Sequence, residues 1–270
     1  MDNRRSCVLV TGGAGFIGSW TVEKLVDKYS CVVVFDNLYS GSISNLENYH
    51  SRIVFVEGDI RDKDSVLSVM KKYGIRAVVH LVAVVGVDEV YHNPLLGYEV
   101  NVGGTFDVLE ALRILDADVF AYASSAAVYS DPVELPIRED HRTQPKSVYG
   151  ATKLGGEALV RGYAENYGLT MIILRYFNVY GPRMRSGPYT GVIHKFIKRA
   201  LKNVPLIIYG DCEQTRDFVY VEDVAEADLK ALSANKPSIY NIGSGKPISI
   251  KDLADKIAEI TGSTSKIVYD

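Results

Sequence analysis

Short apolar runs recur along most of the chain, each separated from the next by a longer stretch of helical spacing. Runs at residues 8–11, 32–35, 53–57, 77–80, 119–123 and 171–175 lack inside/outside alternation. That pattern predicts strands buried on both faces. Stretches at 16–28, 63–73, 94–115 and 147–167 carry helical patterning between them. Alternating strands and helices, joined by right-handed crossovers, predict an α/β fold with a doubly wound parallel Rossmann sheet.

After about Gly181 the rhythm changes. GPRMRSGPYTG reads as a loop, followed by a helix at 192–202, a strand at 206–209 and the loop GDCEQTRDF. Helices at 222–233 and 251–261 flank YNIGSGKPISI. The division expected is a wound domain over 1–180 and a small, partly interleaved C-terminal lobe over 181–270, some of whose elements return to the main sheet. No internal repeat or low-complexity segment stands out.

Composition narrows the classes. The 270-residue chain is 47% hydrophobic and 23% charged, with a net charge of -3, values of an ordinary globular protein. With no basic tract, it is not expected to bind nucleic acid or an anionic membrane. Its apolar runs are strand-sized, so no membrane span is expected, and MDNRRSC leads into a strand without a signal-peptide core. Cys7, Cys31 and Cys212 have no metal-type spacing. Cys7 and Cys31 fall on strand-like runs and read as small buried hydrophobes, which suggests a reducing, cytoplasmic setting. His80 reads as a packed strand-end residue; His50, His92, His141 and His194 form no spaced set, and no metal is assigned.

Three features carry candidate chemistry. Gly12, Gly15 and Gly18 form a G-x-x-G-x-x-G turn between the first strand and helix, where backbone N–H groups face phosphates. Asp36 closes the second apolar run 18 residues after Gly18. Its carboxylate can bind ribose hydroxyls and repel a 2′-phosphate, favouring NAD over NADP; a turn-initiating Asp before Asn37 is the bland alternative. Tyr149 and Lys153 lie four apart in SVYGATKLGGEAL, on one helical face, where an ammonium would lower the phenol's pKa.

Together with Ser125, these features resemble the extended short-chain dehydrogenase/reductase family, and within it the nucleotide-sugar epimerases and dehydratases. The resemblance runs over essentially the whole chain. It implies NAD as cofactor, held by Gly12, Gly15, Phe16, Ile17, Gly18, Asp36, Asn37, the adenine-side pair Asp59 and Ile60, the stretch Leu81, Val82 and Ala83, and Tyr149, Lys153 and Tyr176. ASSAAVYS at 123–130 resembles the family's S-S-x-x-V-Y-G segment, which makes Ser125, Tyr149 and Lys153 the catalytic triad; adjacent Ser124 is the competitor. Dehydratases of the family carry Asp-Glu where this chain has Ala126-Ala127, and elimination needs such an acid/base pair.

LRYFNVYGPR at 174–183 resembles the epimerase signature R-Y-F-N-x-x-G. By that resemblance Tyr176 lies near the nicotinamide, and Asn178, Val192, Tyr209 and Arg216 join Ser125 and Tyr149 on the substrate; an Arg216-Asp217 surface ion pair is the alternative. The implied function is NAD-dependent 4-epimerisation of a UDP-sugar, with UDP-glucose/UDP-galactose favoured. UDP-N-acetylhexosamine or UDP-glucuronate is the rival substrate, GPYTGVIHKF resembling a loop of some N-acetyl enzymes; a catalytically idle NAD-binding regulatory protein is the alternative outside catalysis. Relatives form homodimers through two helices, here 94–115 and 147–167, with Leu109, Leu112, Leu159 and Tyr163 as candidate contacts. They also continue for several tens of residues beyond the point where this chain stops at IVYD, so part of the substrate pocket is expected to be lacking.

Overall fold

The computed structural model describes residues 7–129, 131–185, 187, 190–210 and 214–270. In chain order the elements are β1 (Cys7–Thr11), α1 (Phe16–Leu25), β2 (Cys31–Asp36), β3 (Val54–Glu57), α2 (Lys63–Tyr73), β4 (Ile75–His80), α3 (Val87–His92), α4 (Pro94–Tyr98), α5 (Thr105–Ile114), β5 (Val119–Ser125), α6 (Val148–Tyr167), β6 (Thr170–Tyr176) and β7 (Asn178–Tyr180). Then follow α7 (Val192–Ala200), β8 (Leu206–Ile208), β9 (Thr215–Tyr220), α8 (Val221–Ala231), β10 (Ser238–Ile242), β11 (Pro247–Ser249), α9 (Ile250–Thr261) and β12 (Ile267–Tyr269).

Seven parallel strands form the main sheet in the order β10-β6-β5-β4-β1-β2-β3. The six strands read from unalternating apolar runs all lie in it. Successive side chains of a strand point to opposite faces, so Val8 and Val10 join one core with α1 and α8 while Leu9 joins the other with α2, α5 and α6. The seventh strand, β10, comes from beyond residue 181 and pairs with β6, Ser238 opposite Ile172. Two smaller sheets, β11-β9-β7 and β12-β8, belong to a third core with α7 and α9.

Helix 94–115 is not one continuous α-helix. α4 gives way to a π-helical turn over Glu99–Gly104 before α5 resumes. The side chain of Asn101, within that turn, accepts from Val84 N at 2.8 Å and donates to Val84 O at 3.1 Å. The wider turn thus accompanies a fixed clamp on the loop after β4, an interaction that periodicity cannot signal.

Two expectations need correction. Cys7 and Cys31 are register partners at the starts of β1 and β2, their Cα atoms 4.6 Å apart, and they form a disulfide. They are not free thiols, so they lend no support to a reducing setting; Cys212 lies outside the described residues. Among those residues no helix is long and apolar enough to cross a membrane. Leu109 and Leu112 are wholly buried in the core under the sheet, with Tyr163 beside them and Leu159 packed against it. The outward apolar groups of these helices are instead Leu95, Tyr98, Phe106, Ile114, Val148 and Tyr167.

Candidate active site

The C-terminal ends of the parallel strands converge on one edge of the sheet, where open α/β folds place ligands. At the centre of that edge β1 turns into α1 through the glycines. A Cβ on Gly18 would stand 2.1 Å from Gly12 O, so only glycine lets the helix start so close to the turn. Gly15 caps α1 without a side-chain hydrogen bond, leaving first-turn N–H groups available to an anion. Asp36, 5% exposed, accepts Ala14 N at 3.0 Å and Leu38 N at 2.7 Å. Burial raises its pKa, against the lowering effect of those two bonds. Each carboxylate oxygen keeps a further lone pair for a ribose hydroxyl.

Asn37 donates to Asp59 at 3.2 Å, and Arg61 grips Asp59 at 2.9 and 2.7 Å while also reaching Glu99 at 3.1 Å. The Arg61 bond holds the Asp59 carboxyl at about 2. Arg61 is thus shared between two carboxylates, an arrangement that fits an unphosphorylated ribose better than a 2′-phosphate. Ile60 is buried; Phe16, Ile17, Leu81, Val82 and Ala83 are half-buried around the turn, with Leu81 N bonded to Thr11 O at 3.1 Å. These residues fit a dinucleotide lying across the strand ends.

Ser125 ends β5 and accepts Ala127 N at 3.2 Å, and Tyr149 stands in the first turn of α6, with Ser125 near enough to influence the phenol. Ser147 caps α6 by accepting Gly150 N at 3.0 Å. Gly156 lets the helix lie against β5, because a Cβ there would meet Tyr122 Oη at 2.1 Å. Ser124 faces elsewhere, donating at 2.6 Å to the fully buried Glu157. Lys153 is buried one turn after Tyr149 and donates to Ala123 O at 2.9 Å, with its ammonium 5.3 Å from the centre of the Tyr122 ring.

The expected lowering of the Tyr149 phenol is not what the structure has. Burial raises it, and the nearby Ser125 only partly opposes that. Lys153 is itself depressed to about 7 by burial, with Glu157 pulling it up. The ammonium is spent on a carbonyl of β5 rather than on the phenol. His80 is packed as expected: bonded to Thr11 at 2.8 Å and Thr105 at 3.1 Å, stacked on Tyr122, and lowered by burial to about 3.

Tyr176 stands opposite Ser125 in the β5–β6 register. Its hydroxyl donates to the buried Asp228 of α8, which also takes Thr21 Oγ1 at 2.6 Å. Burial raises Asp228 to about 7, against the two bonds that lower it. Beside it, Arg175 forks onto Glu157 at 2.8 and 2.7 Å and reaches Tyr129 at 2.6 Å.

Asn178 follows on β7, its amide bonded to Asp217 O at 2.9 Å. Arg216 on adjacent β9 bonds Thr215 O at 2.8 Å, not Asp217, whose carboxylate instead accepts Ser244 N and Gly245 N, both at 2.8 Å. Gln214 donates to Tyr209 O at 2.8 Å, tying exposed Tyr209 to the same region. Val192 opens α7 and packs half-buried into the third core. Sequence reasoning passed over Glu157, Arg175, Asp228, Tyr39 and Glu89. A buried acid is visible in sequence only as a charge on an apolar helix face, and its partner is not visible at all.

Residues 8–243 match the NAD dependent epimerase/dehydratase family, and the chain belongs to it. A protein of Methanocaldococcus jannaschii, provisionally named a UDP-glucose 4-epimerase, is 44% identical over 97% of this chain and 85% of its own length. A UDP-N-acetyl-alpha-D-glucosaminuronate decarboxylase of Bacillus cytotoxicus is 38% identical over 97% of this chain and 82% of its own. The crystal structure of a Thermotoga maritima UDP-glucose 4-epimerase with UDP-glucose superposes with a TM-score of 0.93 at 35% identity, covering 98% of this chain and 85% of that one. Other relatives are a UDP-glucuronate 4-epimerase and a UDP-N-acetylglucosamine 4-epimerase.

Proposed function

We propose that the protein is an NAD-dependent UDP-sugar 4-epimerase, with UDP-glucose and UDP-galactose as the favoured pair. The observation that carries this reading is the placing of Ser125 at the end of β5 and Tyr149 in the first turn of α6, with buried Lys153 one turn on and a turn built for a dinucleotide nearby. NAD held by the glycine turn, Asp36, Asn37, Asp59, Ile60 and residues 81–83 supplies a reversible hydride acceptor for sugar C4.

The chain's own residues handle protons. Burial by itself raises the Tyr149 phenol, and the positive charge of bound NAD would oppose that. Tyr149 then takes the proton of the C4 hydroxyl and later returns it, acting as base and then acid. Ser125, at the end of β5, orients the C4 oxygen against the phenol. Lys153 spends one N–H on Ala123 O and keeps others for the nicotinamide ribose. The two half-buried alanines, Ala126 and Ala127, carry no proton-active group. A dehydratase would need an acid and a base there, and the family's UDP-glucuronate decarboxylases use a glutamate. Asn178, Arg216, Tyr209 and Val192 are assigned to the UDP moiety, a role compatible with their joining the β7–β9 sheet and its flanks.

UDP-N-acetylhexosamine and UDP-glucuronate are the second substrate reading, favoured by the names of further relatives. The loop segment GPYTG that suggested an N-acetyl sugar includes Pro188 and Tyr189, which lie outside the described residues. The protein is also proposed to pair with a second copy through the outward face of α4–α6.

Purified protein incubated with UDP-galactose should yield UDP-glucose, and substrate deuterated at C4 should keep its label. Wash-out of deuterium or a 4-keto-6-deoxy product would refute the mechanism. Turnover of only the N-acetyl or uronic sugar would move the assignment to the second reading.

A further inference from the structure

Glu89 is a carboxylate that the proposed reaction leaves unused. It sits on α3, 8% exposed, and its Oε1 accepts the Tyr39 hydroxyl at 2.9 Å. Tyr39 belongs to the loop after β2 and is 50% exposed. Its backbone is fixed by an Asn37 side-chain bond at 3.1 Å, and the Arg185 guanidinium lies 5.7 Å from its ring centre.

The place of this bond in the fold gives it meaning. In the sheet β1 lies between β2 and β4. A contact joining the loop after β2 to the helix after β4 must therefore cross the end of β1, where the glycine turn and the α1 N-terminus lie. Both banks are anchored. Ser42 N and the Asn45 amide bond Ala14 O at 3.0 and 2.9 Å on one side, and Asn101 clamps Val84 on the other. Side chains bonded across two fixed banks make a bar, not a fluctuating surface contact. A dinucleotide reaching from Asp36 to Tyr149 has to run along the same line.

We propose that the Tyr39–Glu89 hydrogen bond is a latch across the dinucleotide groove that sets the rate at which NAD enters and leaves. This rests on the reading that the groove holds NAD. It also suits that chemistry, since an epimerase regenerates its cofactor every cycle and gains nothing from exchange.

The test follows NADH fluorescence on the whole protein, with uptake in a stopped-flow mixer and release on dilution into excess NAD. Tyr39→Phe keeps the ring and loses the bond, and should raise both rates roughly threefold to tenfold while leaving their ratio nearly constant. Glu89→Gln retains an acceptor oxygen and should keep the parent rates. Melting temperatures close to the parent's would establish that both variants fold. Unchanged rates in Tyr39→Phe would overturn the latch. So would faster release with unaltered uptake, which would mean that the hydroxyl touches the cofactor directly. Equal acceleration by Glu89→Gln would attribute the effect to charge and also overturn it. A parent protein that binds no dinucleotide would instead bring down the cofactor reading beneath it.

Discussion

The role proposed for Tyr149 rests on one oxygen atom, and the cost of losing it should appear in rate rather than in folding. Tyr149→Phe should lower turnover about 10²–10⁴-fold, the usual worth of a general acid/base, with little change in melting temperature. Near-normal turnover would remove Tyr149 from the proton path. Asp228 makes an opposite kind of prediction. Its folded pKa of about 7 lies above the ordinary 3.8, so the native state holds a proton that the unfolded chain releases. The resulting stability is full below pH 4 and is lost as pH rises towards 7. Urea midpoints measured between pH 4 and 7 should fall with pH, and Asp228→Asn should flatten that slope. A parallel slope in the variant would assign the effect to another group.

At the scale of elements, the Arg175–Glu157 pair ties β6 to α6 beneath the site. Removing one partner of a buried pair leaves the other charge uncompensated, at about 3–5 kcal/mol. Arg175→Met should therefore lower the chemical-denaturation free energy by that order, and a loss near zero would mean that half-exposed Arg161, also bonded to Glu157 at 3.0 Å, suffices alone. The same pair marks what the sequence can and cannot disclose. Six strands and the glycine turn were legible because their signals are local: unbroken apolar runs and fixed spacing. The choice of Ser125 over its neighbour Ser124 rests in sequence on the aligned Val128-Tyr129 segment, whereas the engagement of Ser124 with Glu157, 33 residues away, has no sequence signal. Cys7 with Cys31 is joined by the sheet's register, and Tyr39 with Glu89 and Tyr176 with Asp228 by the packing of loops and helices on the sheet, all of them between residues far apart in sequence. The break in helix 94–115 coincides with a side-chain clamp that leaves no periodic trace.

Across the whole molecule, the Cys7–Cys31 bridge closes a loop spanning the first βαβ unit, at a sequence separation of 24. Loop-closure entropy for that length corresponds to about 3 kcal/mol. Calorimetry with and without a thiol reductant should show a lower melting temperature on reduction, and coincident curves would deny the bridge any stabilising role. The outward row of Tyr98 and Phe106, 57% and 43% exposed, is the revised candidate for pairing two copies. Phe106→Glu should convert a dimer to monomer in light scattering at micromolar concentration. A parent protein that is already monomeric there would discard the interface.

The late arrival of β10 has a further consequence. Because Ser238–Ile242 covers the flank of β6, a fragment ending at residue 180 would present Met171, Ile172, Ile173 and Leu174 on an open sheet margin of unpaired amides and carbonyls. Such a margin recruits strands from other chains. That fragment, although it contains the glycine turn and the Tyr149–Lys153 pair, should accumulate as insoluble aggregate, and supplying residues 181–270 as a separate chain should rescue part of it into the supernatant.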